Sequence, residues 1–587
     1  MAGILSFFLI ALPWLGAMLV WLIGAGSPGK SREKLYHTLA VGVSLLVGLL
    51  SLILLAFAGP EPALRFPLGA MLGEFTLVAD GLGAVLAAVA CVVGSLAVLF
   101  SVDYMRGEAQ LSRYYTFVLL FIGAMTGLVL SGNLLFTFFF WEITALCSYA
   151  LISFYNDDPK AVAGGIKALI ITQVGGVGLL AGTLVIYASL GSLQVSDVLR
   201  AADTLPAGML ALAAYGFLLA AAAKSAQFPF HTWLPDAMEA PTPVSALIHA
   251  ATMVNAGVYL LVRFYPAFQQ VPGWTLAVTL VGVLSALIAG LMALTATDLK
   301  RALAYSTVSQ LGYMVYVIGV GGVFASQFHL LSHAVFKALL FLAAGAVIHS
   351  VGTRDMQRMG GLGTKMPFIR NVFIIGALAL AGLPVFNGFW SKELILEAGI
   401  KYGPLWAVSF MLFGVGLTAF YTIRMTWLVF FGTEREDLHV HASGVAIRTA
   451  TGVLAFGTLT TWLLAGPLAG LFARSLPFHA VEPVSTLAMA EEVLFAPATW
   501  LALFVILVGV GLWVTVQRFS KTGLSVAWFD SLVNSSFGFE WLNRQVLALI
   551  TKASRALQGT QTGQLNWNIL GIIGTLLVLL AILVWGA

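Results

Sequence analysis

Cysteine is scarce in this chain, which has only Cys91 and Cys147 among its 587 residues. Both lie in apolar stretches, and they form neither a Cys-x-x-Cys pair nor a cluster with the spacing of a zinc or iron–sulfur site. The sequence therefore predicts no metal and no redox cofactor. If electron transfer accompanies the function, we expect it to take place on another subunit.

Charge is scarce as well. Charged residues make up 9% of the chain and hydrophobic residues 60%, with a mean hydropathy of +0.97, whereas an average soluble domain has about 25% charged residues. This composition predicts an all-α, polytopic protein of the cell membrane, of the prokaryotic inner-membrane type. The net charge of +4 reflects lysines and arginines that set membrane topology, so nucleic acid is not an expected partner.

Long hydrophobic runs are abundant. Windows of about 20 apolar residues predict sixteen transmembrane helices, near residues 3–24, 37–58, 81–101, 114–131, 133–155, 163–189, 208–228, 242–264, 273–296, 302–320, 323–350, 367–390, 403–431, 449–472, 498–517 and 567–586. The first is expected to be a retained helix, because it has no basic leader and no clear cleavage site. With both termini outside, the inside connections hold 21 lysines and arginines and the outside connections 5, as the positive-inside bias requires.

Two of these spans are interrupted. Pro229 follows Lys224 in KSAQFPFH, and Pro384 precedes Lys392 in AGLPVFNGFWSK. Broken helices at membrane depth are buried in protein or line a cavity, and paired breaks indicate inverted repeats. We therefore predict three N-terminal helices in 1–112, a five-helix repeat in 113–266 and its inverted copy in 267–432, two helices in 433–517, an amphipathic segment in 518–565 and a last helix in 566–587.

The segment before the last helix carries an amphipathic pattern. Its apolar residues at helical spacing are Phe539, Leu542, Val546, Leu549, Ala553 and Leu557, and the polar face carries Asn543, Arg544, Lys552 and Arg555. This pattern favours a helix lying along the membrane surface, with lipid or a neighbouring subunit as its partner. An ordinary cytoplasmic connector helix is the alternative.

Three lysines, Lys224, Lys337 and Lys392, lie inside or at the breaks of apolar runs. An ammonium group near the bilayer centre costs about 2.5–3.5 kcal/mol on insertion scales, so its retention indicates proton or ion transfer. Glu142 is a lone carboxylate in another apolar span, and Lys224 is the available cation. Approach of the two would favour both charges and separation would let the lysine release a proton. A static buried ion pair is the alternative.

Four further candidates extend this set. His329 and His333 precede Lys337 at four-residue intervals, so the three form one polar stripe that predicts a proton relay. Metal or haem ligation is disfavoured because no third ligand is near. His249 returns to the depth of Lys224 on the next helix, with a packing histidine as the alternative. Lys300 is interpreted as a bridge between the two halves, with an interfacial anchor as the alternative.

Lys392 follows the second helix break directly, and this position predicts an exit gate. Glu393 is the next residue. An exposed Lys392–Glu393 pair without a transport role is the alternative.

Several motifs carry a family resemblance. The run from Lys224 to Leu261, KSAQFPFHTWLPDAMEAPTPVSALIHAATMVNAGVYLL, is long and specific. It is joined by WE at 141–142, DLKRALAYSTVSQLGYM from 298, HAVFKALLFLAAGAVIH from 333, GTRDMQRMGGL from 352, GFWSKE from 388 and QTGQLNW from 561. Together they resemble the antiporter-like proton-pumping subunits of respiratory complex I, of Mrp-type cation/proton antiporters and of membrane-bound hydrogenases.

The resemblance implies a role for each candidate. Glu142 and Lys224 would be the gating pair, and Lys392 would be the terminal exit residue. Lys300 and the stripe of His329, His333 and Lys337 would be the central relay.

Two departures qualify the resemblance. Complex I L subunits usually show an Arg-x-Gly-Asp run where this chain has Gln173-Val174-Gly175-Gly176. The connector before the last helix has about 48 residues, which reach roughly 70 Å if fully helical, so a longer family helix is in doubt. Both departures favour an Mrp-like or hydrogenase-linked branch, although the Mrp large subunit carries a further C-terminal region.

The leading hypothesis is a proton-translocating subunit of a complex I-like NADH:quinone oxidoreductase without its own redox site, with other membrane subunits as partners. The alternatives are an Mrp-type Na⁺/H⁺ antiporter module, a hydrogenase ion-pumping subunit, an inorganic-carbon uptake subunit and an anchor that has lost transport. The sequence does not identify the electron donor or choose between H⁺ and Na⁺.

Overall fold

The computed structural model describes residues 1–25, 32–69, 73–434, 440–519 and 538–560. The chain divides into two units, Met1–Leu524 and Ser525–Ala587. The predicted last helix at 566–587 and the QTGQLNW motif lie outside the described residues.

The first unit is built almost entirely from helices. They are α1 (Ala2–Ala25), α2 (Glu33–Leu55), α3 (Gly81–Tyr104), α4 (Leu111–Leu130), α5 (Leu134–Ile152), α6 (Pro159–Leu190), α7 (Val195–Ala201), α8 (Ala207–Lys224), α9 (Trp233–Asp236), α10 (Thr242–Ala246), α11 (Met253–Phe268), α12 (Trp274–Thr295), α13 (Leu299–Gly319), α14 (Val323–Val351), α15 (Leu362–Lys365), α16 (Pro367–Ala381), α17 (Asn387–Tyr402), α18 (Leu405–Thr426), α19 (Val445–Thr460), α20 (Ala465–Ser475), α21 (Thr486–Phe495) and α22 (Pro497–Phe519).

The prediction of a polytopic helical membrane protein is confirmed. Within the described residues, 13 helices are long and apolar enough to cross a membrane. The less apolar α13 occupies a fourteenth predicted position, and the interrupted pair α16 and α17 occupies a fifteenth. Polytopic helical architecture follows from this pattern.

The connections meet in two groups, as alternating spans require. Leu77 forms a bridge with Ser131, and Asn133 forms one with Gln194, so three predicted outside connections lie together. At the other end, the connections that carry Asp298 and Asp355 are bridged in the same way.

A small β-hairpin departs from the all-helical prediction. Strand β1 (Pro62–Pro67) pairs antiparallel with β2 (Glu74–Val78) in the connection between α2 and α3. The side chains of Asn133 and Gln194 each donate a 2.9 Å hydrogen bond to the Glu74 carbonyl. The hairpin therefore joins three of the predicted outside connections. Apolar windows of membrane length do not detect strands of five or six residues.

Both predicted helix breaks are confirmed. Helix α8 ends at Lys224 and the next α-helical residue is Trp233. Helix α16 ends at Ala381, where Gly382 turns the chain with φ +86°, and α17 begins at Asn387. Each break falls in the fourth span of its predicted five-helix repeat. The repeat boundaries themselves stay predictions.

Sequence analysis missed a third irregularity. Residues Leu247–Ala251 form a π turn between α10 and α11. Such single turns interrupt the regular ladder and are frequent at functional sites.

Helix α13 lies unusually close to α12. A Cβ added at Gly312 would be 2.6 Å from the Ala286 backbone nitrogen, and one added at Gly282 would be 2.3 Å from the Tyr316 nitrogen. Only glycine permits this backbone approach at both positions. The packing fixes the orientation of α13, whose other face points toward α14.

The second unit contains helix α23 (Phe539–Thr560). Its helical state agrees with the amphipathic prediction for this segment. Trp541 and Leu549 are exposed on it, as are Arg544, Lys552 and Arg555. Its predicted lipid or subunit partner stays a prediction.

Candidate functional site

Most of the predicted site residues are buried near the centre of the first unit. We call the set of eight the buried polar line: Glu142, Lys224, His249, Lys300, His329, His333, Lys337 and Lys392. Seven of them are buried, and Glu142 is partly exposed. The line is spread over α5, α8, the π turn, α13, α14 and α17.

Lys224 stands at the last residue of α8, beside α5. Its Nζ donates a 2.7 Å hydrogen bond to the Trp141 carbonyl and lies 4.8 Å from the centre of the Trp141 ring. In the part of the chain that the structure describes, no ion pair joins Lys224 to Glu142. A static buried ion pair, the alternative interpretation, is therefore not what this conformation contains. The ammonium group is instead held by a carbonyl and an aromatic face.

Glu142 faces α6 rather than Lys224. The Gln173 side-chain nitrogen donates a hydrogen bond to Glu142 Oε2. Oε1 is buried and has no hydrogen-bond partner among the described residues. A Cβ at Gly176 would lie 2.3 Å from Oε1, so the missing side chain makes room for the carboxyl group. Gln173 and Gly176 are the residues at which this chain departs from the complex I pattern.

His249 lies between the two halves of the line. Its ring centre is 6.1 Å from that of Trp233 and 6.1 Å from that of Phe341. Trp233 in turn donates a 3.0 Å hydrogen bond to the carbonyl of Ala223, the neighbour of Lys224. Neither ring nitrogen of His249 has a hydrogen-bond partner among the described residues. A satisfied packing histidine, the alternative interpretation, is not what the structure contains.

Helix α13 contributes a second polar stripe that sequence analysis did not identify. Lys337 Nζ donates a 2.6 Å hydrogen bond to Ser306 Oγ, and His329 Nε2 is 3.2 Å from Gln310 Oε1. Ser306 and Gln310 are one turn apart, so they share a face. The polar residues of YSTVSQ, at 305–310, indicated this stripe. Sequence analysis identified only Lys300 as a candidate in the motif that begins at 298.

The histidine stripe on α14 is confirmed as a geometric feature. His329 and His333 have ring centres 6.4 Å apart. His329 Nδ1 is also 2.9 Å from Ser391 Oγ on α17, the residue before Lys392. Neither ring nitrogen of His333 has a hydrogen-bond partner among the described residues.

Lys392 forms a hydrogen bond across the second helix break. Its Nζ donates a 2.7 Å hydrogen bond to the Leu380 carbonyl at the end of α16 and lies 5.9 Å from the Tyr313 ring centre. Terminal carbonyls of a helix lack intrahelical partners and carry partial negative charge. Lys392 and Glu393 are both buried. The alternative of an exposed pair is therefore wrong.

Lys300 is buried at the start of α13. Its Nζ donates a 2.6 Å hydrogen bond to the Ala240 carbonyl, just before α10. An anchor at the membrane surface would expose its ammonium group, so this alternative does not fit. Lys300 joins the segment after the first break to α13, on the inner side of the buried polar line.

Ion pairs that sequence analysis missed surround this inner end. Asp236, which ends α9, accepts a 2.7 Å hydrogen bond from Lys167 on α6 and a 3.0 Å hydrogen bond from Arg301 on α13. One carboxylate thus links the two predicted repeats. Sequence analysis counted Lys167 and Arg301 only as topology charges.

Arg354 is the second centre of this network. Its guanidinium forms a bidentate pair with Glu239, at 2.9 and 3.0 Å, and an ion pair with Asp298 at 3.1 Å. Burial disfavours the charge, but the hydrogen bonds that Arg354 donates to Glu239 and the charge of Asp298 raise the pKa of Arg354 above its ordinary value. We call Lys167, Asp236, Glu239, Asp298, Arg301 and Arg354 the inner ion network.

A cavity lies beside α17, the helix that carries Lys392. The cavity has a volume of 580 Å³ and is lined by residues that include Glu397, Lys401, His479 and Glu492. Glu397 lies on α17, about one turn beyond Glu393. Burial lowers the pKa of the His479 imidazole to about 4, although a hydrogen bond to the Val262 carbonyl works in the opposite direction.

Comparison with known proteins gives two family matches. Residues 131–418 match the family described as NADH:quinone oxidoreductase/Mrp antiporter, TM. Residues 66–115 match the one described as NADH-Ubiquinone oxidoreductase (complex I), chain 5 N-terminus. The first match contains all eight residues of the buried polar line.

Individual relatives extend this similarity. NADH-quinone oxidoreductase subunit L of Escherichia coli is 36% identical over an alignment that covers 98% of each chain. NAD(P)H-quinone oxidoreductase chain 5 of Picosynechococcus sp. is 41% identical, covering 72% of this chain and 67% of the relative. A solved structure of the Mrp complex from Dietzia sp. is similar with a TM-score of 0.78 and 29% identity, over 99% of this chain and 63% of that chain.

Proposed function

The chain belongs to the NADH:quinone oxidoreductase/Mrp antiporter transmembrane family, and on that premise we propose that it translocates protons as a membrane subunit of a complex I-type NADH-quinone oxidoreductase. It is a multi-pass, antiporter-like subunit of a multisubunit membrane complex. In this proposal other subunits carry the redox chemistry, and this chain moves protons along the buried polar line.

One observation carries the proposal: α13 carries Lys300 and contacts three further residues of the line. Lys300 lies in its first turn, Ser306 binds Lys337, and Gln310 contacts His329. Tyr313 then lies against Lys392. A single helix therefore joins the segment after the first break to the second break through side chains that donate or accept hydrogen bonds.

The hydrogen bonds of three lysines in the line are compatible with proton release. Lys224, Lys300 and Lys392 each donate to a backbone carbonyl. A carbonyl stabilises the ammonium group without the full charge of a carboxylate, so loss of the proton does not strand a buried anion. In the proposed cycle, approach of Glu142 favours the charged form of Lys224, and its withdrawal favours release of the proton toward His249.

The test is proton pumping by the assembled complex in inverted membrane vesicles, with NADH as the donor. Lys224→Ala and Lys337→Ala are expected to reduce pumping at least about tenfold, because each removes a proton-carrying group. Lys401→Ala, which changes an exposed lysine, is the control and should pump normally. Normal pumping in both buried-lysine variants, at normal content of the chain, would refute the proposal.

A second candidate function is Na⁺/H⁺ exchange within an Mrp-type complex. The similarity to the Mrp complex over 99% of this chain favours it. Alignment to the E. coli subunit L over 98% of both chains favours the first candidate. Vesicles energised by a sodium gradient, with no electron donor, separate the two: sodium-dependent proton flux is expected only for the exchanger.

A further inference from the structure

The contacts of Glu142 point to a residue outside the eight predicted ones. Gln173 donates to Glu142 Oε2 from the neighbouring helix α6. Lys224, the proposed partner of Glu142, is meanwhile bonded to the Trp141 carbonyl. The carboxyl group and the ammonium group are thus held by different partners in this conformation.

The second oxygen of the same carboxyl group, Oε1, lies in a different environment. Glu142 Oε1 is buried without a hydrogen-bond partner among the described residues, although a buried acceptor usually has one. It faces Gly176, where a Cβ would come within 2.3 Å. Gly176 therefore leaves space for the carboxyl group to turn. An alanine at this position would fill that space.

We propose that Gln173 is a positioning residue that holds Glu142 away from Lys224, and that Gly176 keeps the room in which the carboxyl group moves between the two partners. This inference rests on the proposed function and assigns a specific step of it. Glu142 alternates between a Gln173-bound position and a Lys224-paired position. The Gln173-bound position is the one that the structure contains.

The chemistry of a glutamine suits this task. Its amide nitrogen donates to an ionised carboxylate, and after a half-turn its amide oxygen accepts from a protonated carboxyl group. Gln173 thus binds Glu142 in either protonation state and exchanges no proton itself. Because the amide is uncharged, it attracts the carboxylate less strongly than the ammonium group of Lys224 does, so Glu142 can leave Gln173 for Lys224.

The experiment compares variants at position 173 in the intact complex, by proton pumping relative to the unmodified protein at about pH 8 and about pH 6. Gln173→Leu removes the donor and should reduce pumping roughly tenfold at both pH values. In Gln173→Glu, the new side chain repels Glu142 when it is ionised. When it is protonated, it donates a hydrogen bond to Glu142. Its relative pumping should therefore rise as the pH falls.

Position 176 gives a separate readout. Gly176→Ala should reduce pumping because its methyl group occupies the space beside Glu142 Oε1. Gly208→Ala is the matched control, since a Cβ at this helical glycine of α8 has nothing within 4 Å. The content and thermal stability of each complex are measured first, so that a folding defect is recognised.

The outcomes separate this inference from the function on which it rests. If Glu142→Gln abolishes pumping while both Gln173 variants pump normally, the inference is overturned and the proposed function stands. A reduction in both variants that does not change with pH indicates a packing role and also overturns it. If Glu142→Gln itself pumps normally, the proposed function fails.

Discussion

Lys337, midway along α14, donates a 2.6 Å hydrogen bond to Ser306 of α13. Both residues are buried. A neutral hydroxyl is thus the hydrogen-bond partner that the structure records for this ammonium group. The Ser306 hydroxyl donates to the Leu303 carbonyl and accepts from Lys337. Because an ammonium group and a neutral amine both carry N–H donors, Lys337 can keep this hydrogen bond whether or not it carries its extra proton.

Ser306→Ala is expected to impair pumping. A hydrogen bond to a charged group contributes about 1.5–3 kcal/mol, and loss of about 1.4 kcal/mol corresponds to a tenfold change in rate. Pumping by vesicles that contain the variant complex should therefore fall roughly tenfold or more. Ser309→Ala is the control, because this buried serine of the same helix donates to the Ala286 carbonyl of α12 instead. Equal effects of the two substitutions would contradict the assignment.

Lys392→Arg separates proton release from simple positive charge. Arginine keeps its proton at any physiological pH, whereas a buried lysine can lose it. If Lys392 is a proton station, the arginine variant should pump at least about tenfold more slowly, while the complex assembles normally. Lys401→Arg is the matched control at an exposed position. Full activity of Lys392→Arg would show that position 392 needs only a charge.

Sequence alone predicts the spans and the breaks well, because apolar runs of membrane length and clustered proline and glycine are local signals. It also predicts the burial of Lys224, Lys337 and Lys392, since lysines in apolar runs have no aqueous alternative, but it misses the burial of Lys167. The hydrogen-bond partners of the buried lysines could not be predicted in this way. Trp141, Ala240 and Leu380 bind them through backbone carbonyls, and a carbonyl has no residue signature.

Other features escaped prediction for physical reasons. The π turn around His249 depends on one extra residue per turn, which leaves composition unchanged. Asp236 has no distinguishing local pattern, because its contact with both Lys167 and Arg301 exists only after distant helices have packed. Sequence analysis identified Gln173 only as a departure from the complex I pattern. Its hydrogen bond to Glu142 forms only when α5 and α6 pack together.

Arg354→Met is expected to destabilise the inner ion network. It leaves Glu239 and Asp298 without their shared cation. Removing one partner of a fully buried pair costs about 3–5 kcal/mol, and partial exposure reduces this to about 1–3 kcal/mol. The melting temperature of the purified complex should fall accordingly. Arg358→Met, at an exposed position in the same connection, should leave the melting temperature unchanged, and equal shifts would contradict a specific role for Arg354.

His479 gives a prediction for pH. It lies in the outer connection between α20 and α21, and its Nε2 lies 2.8 Å from the Val262 carbonyl. Burial lowers its pKa from 6.5 to about 4. Between these values the unfolded connection binds more protons than the folded one. The local stability of this connection should therefore be complete above pH 6.5 and fall progressively toward pH 4.

Hydrogen exchange of residues 476–485, corrected for the intrinsic effect of pH, measures this loss of protection. In His479→Gln the side-chain amide replaces the imidazole N–H donor and does not titrate. Protection in that variant should no longer depend on pH over the same interval. A pH dependence that persists unchanged in His479→Gln would assign the titration to another group.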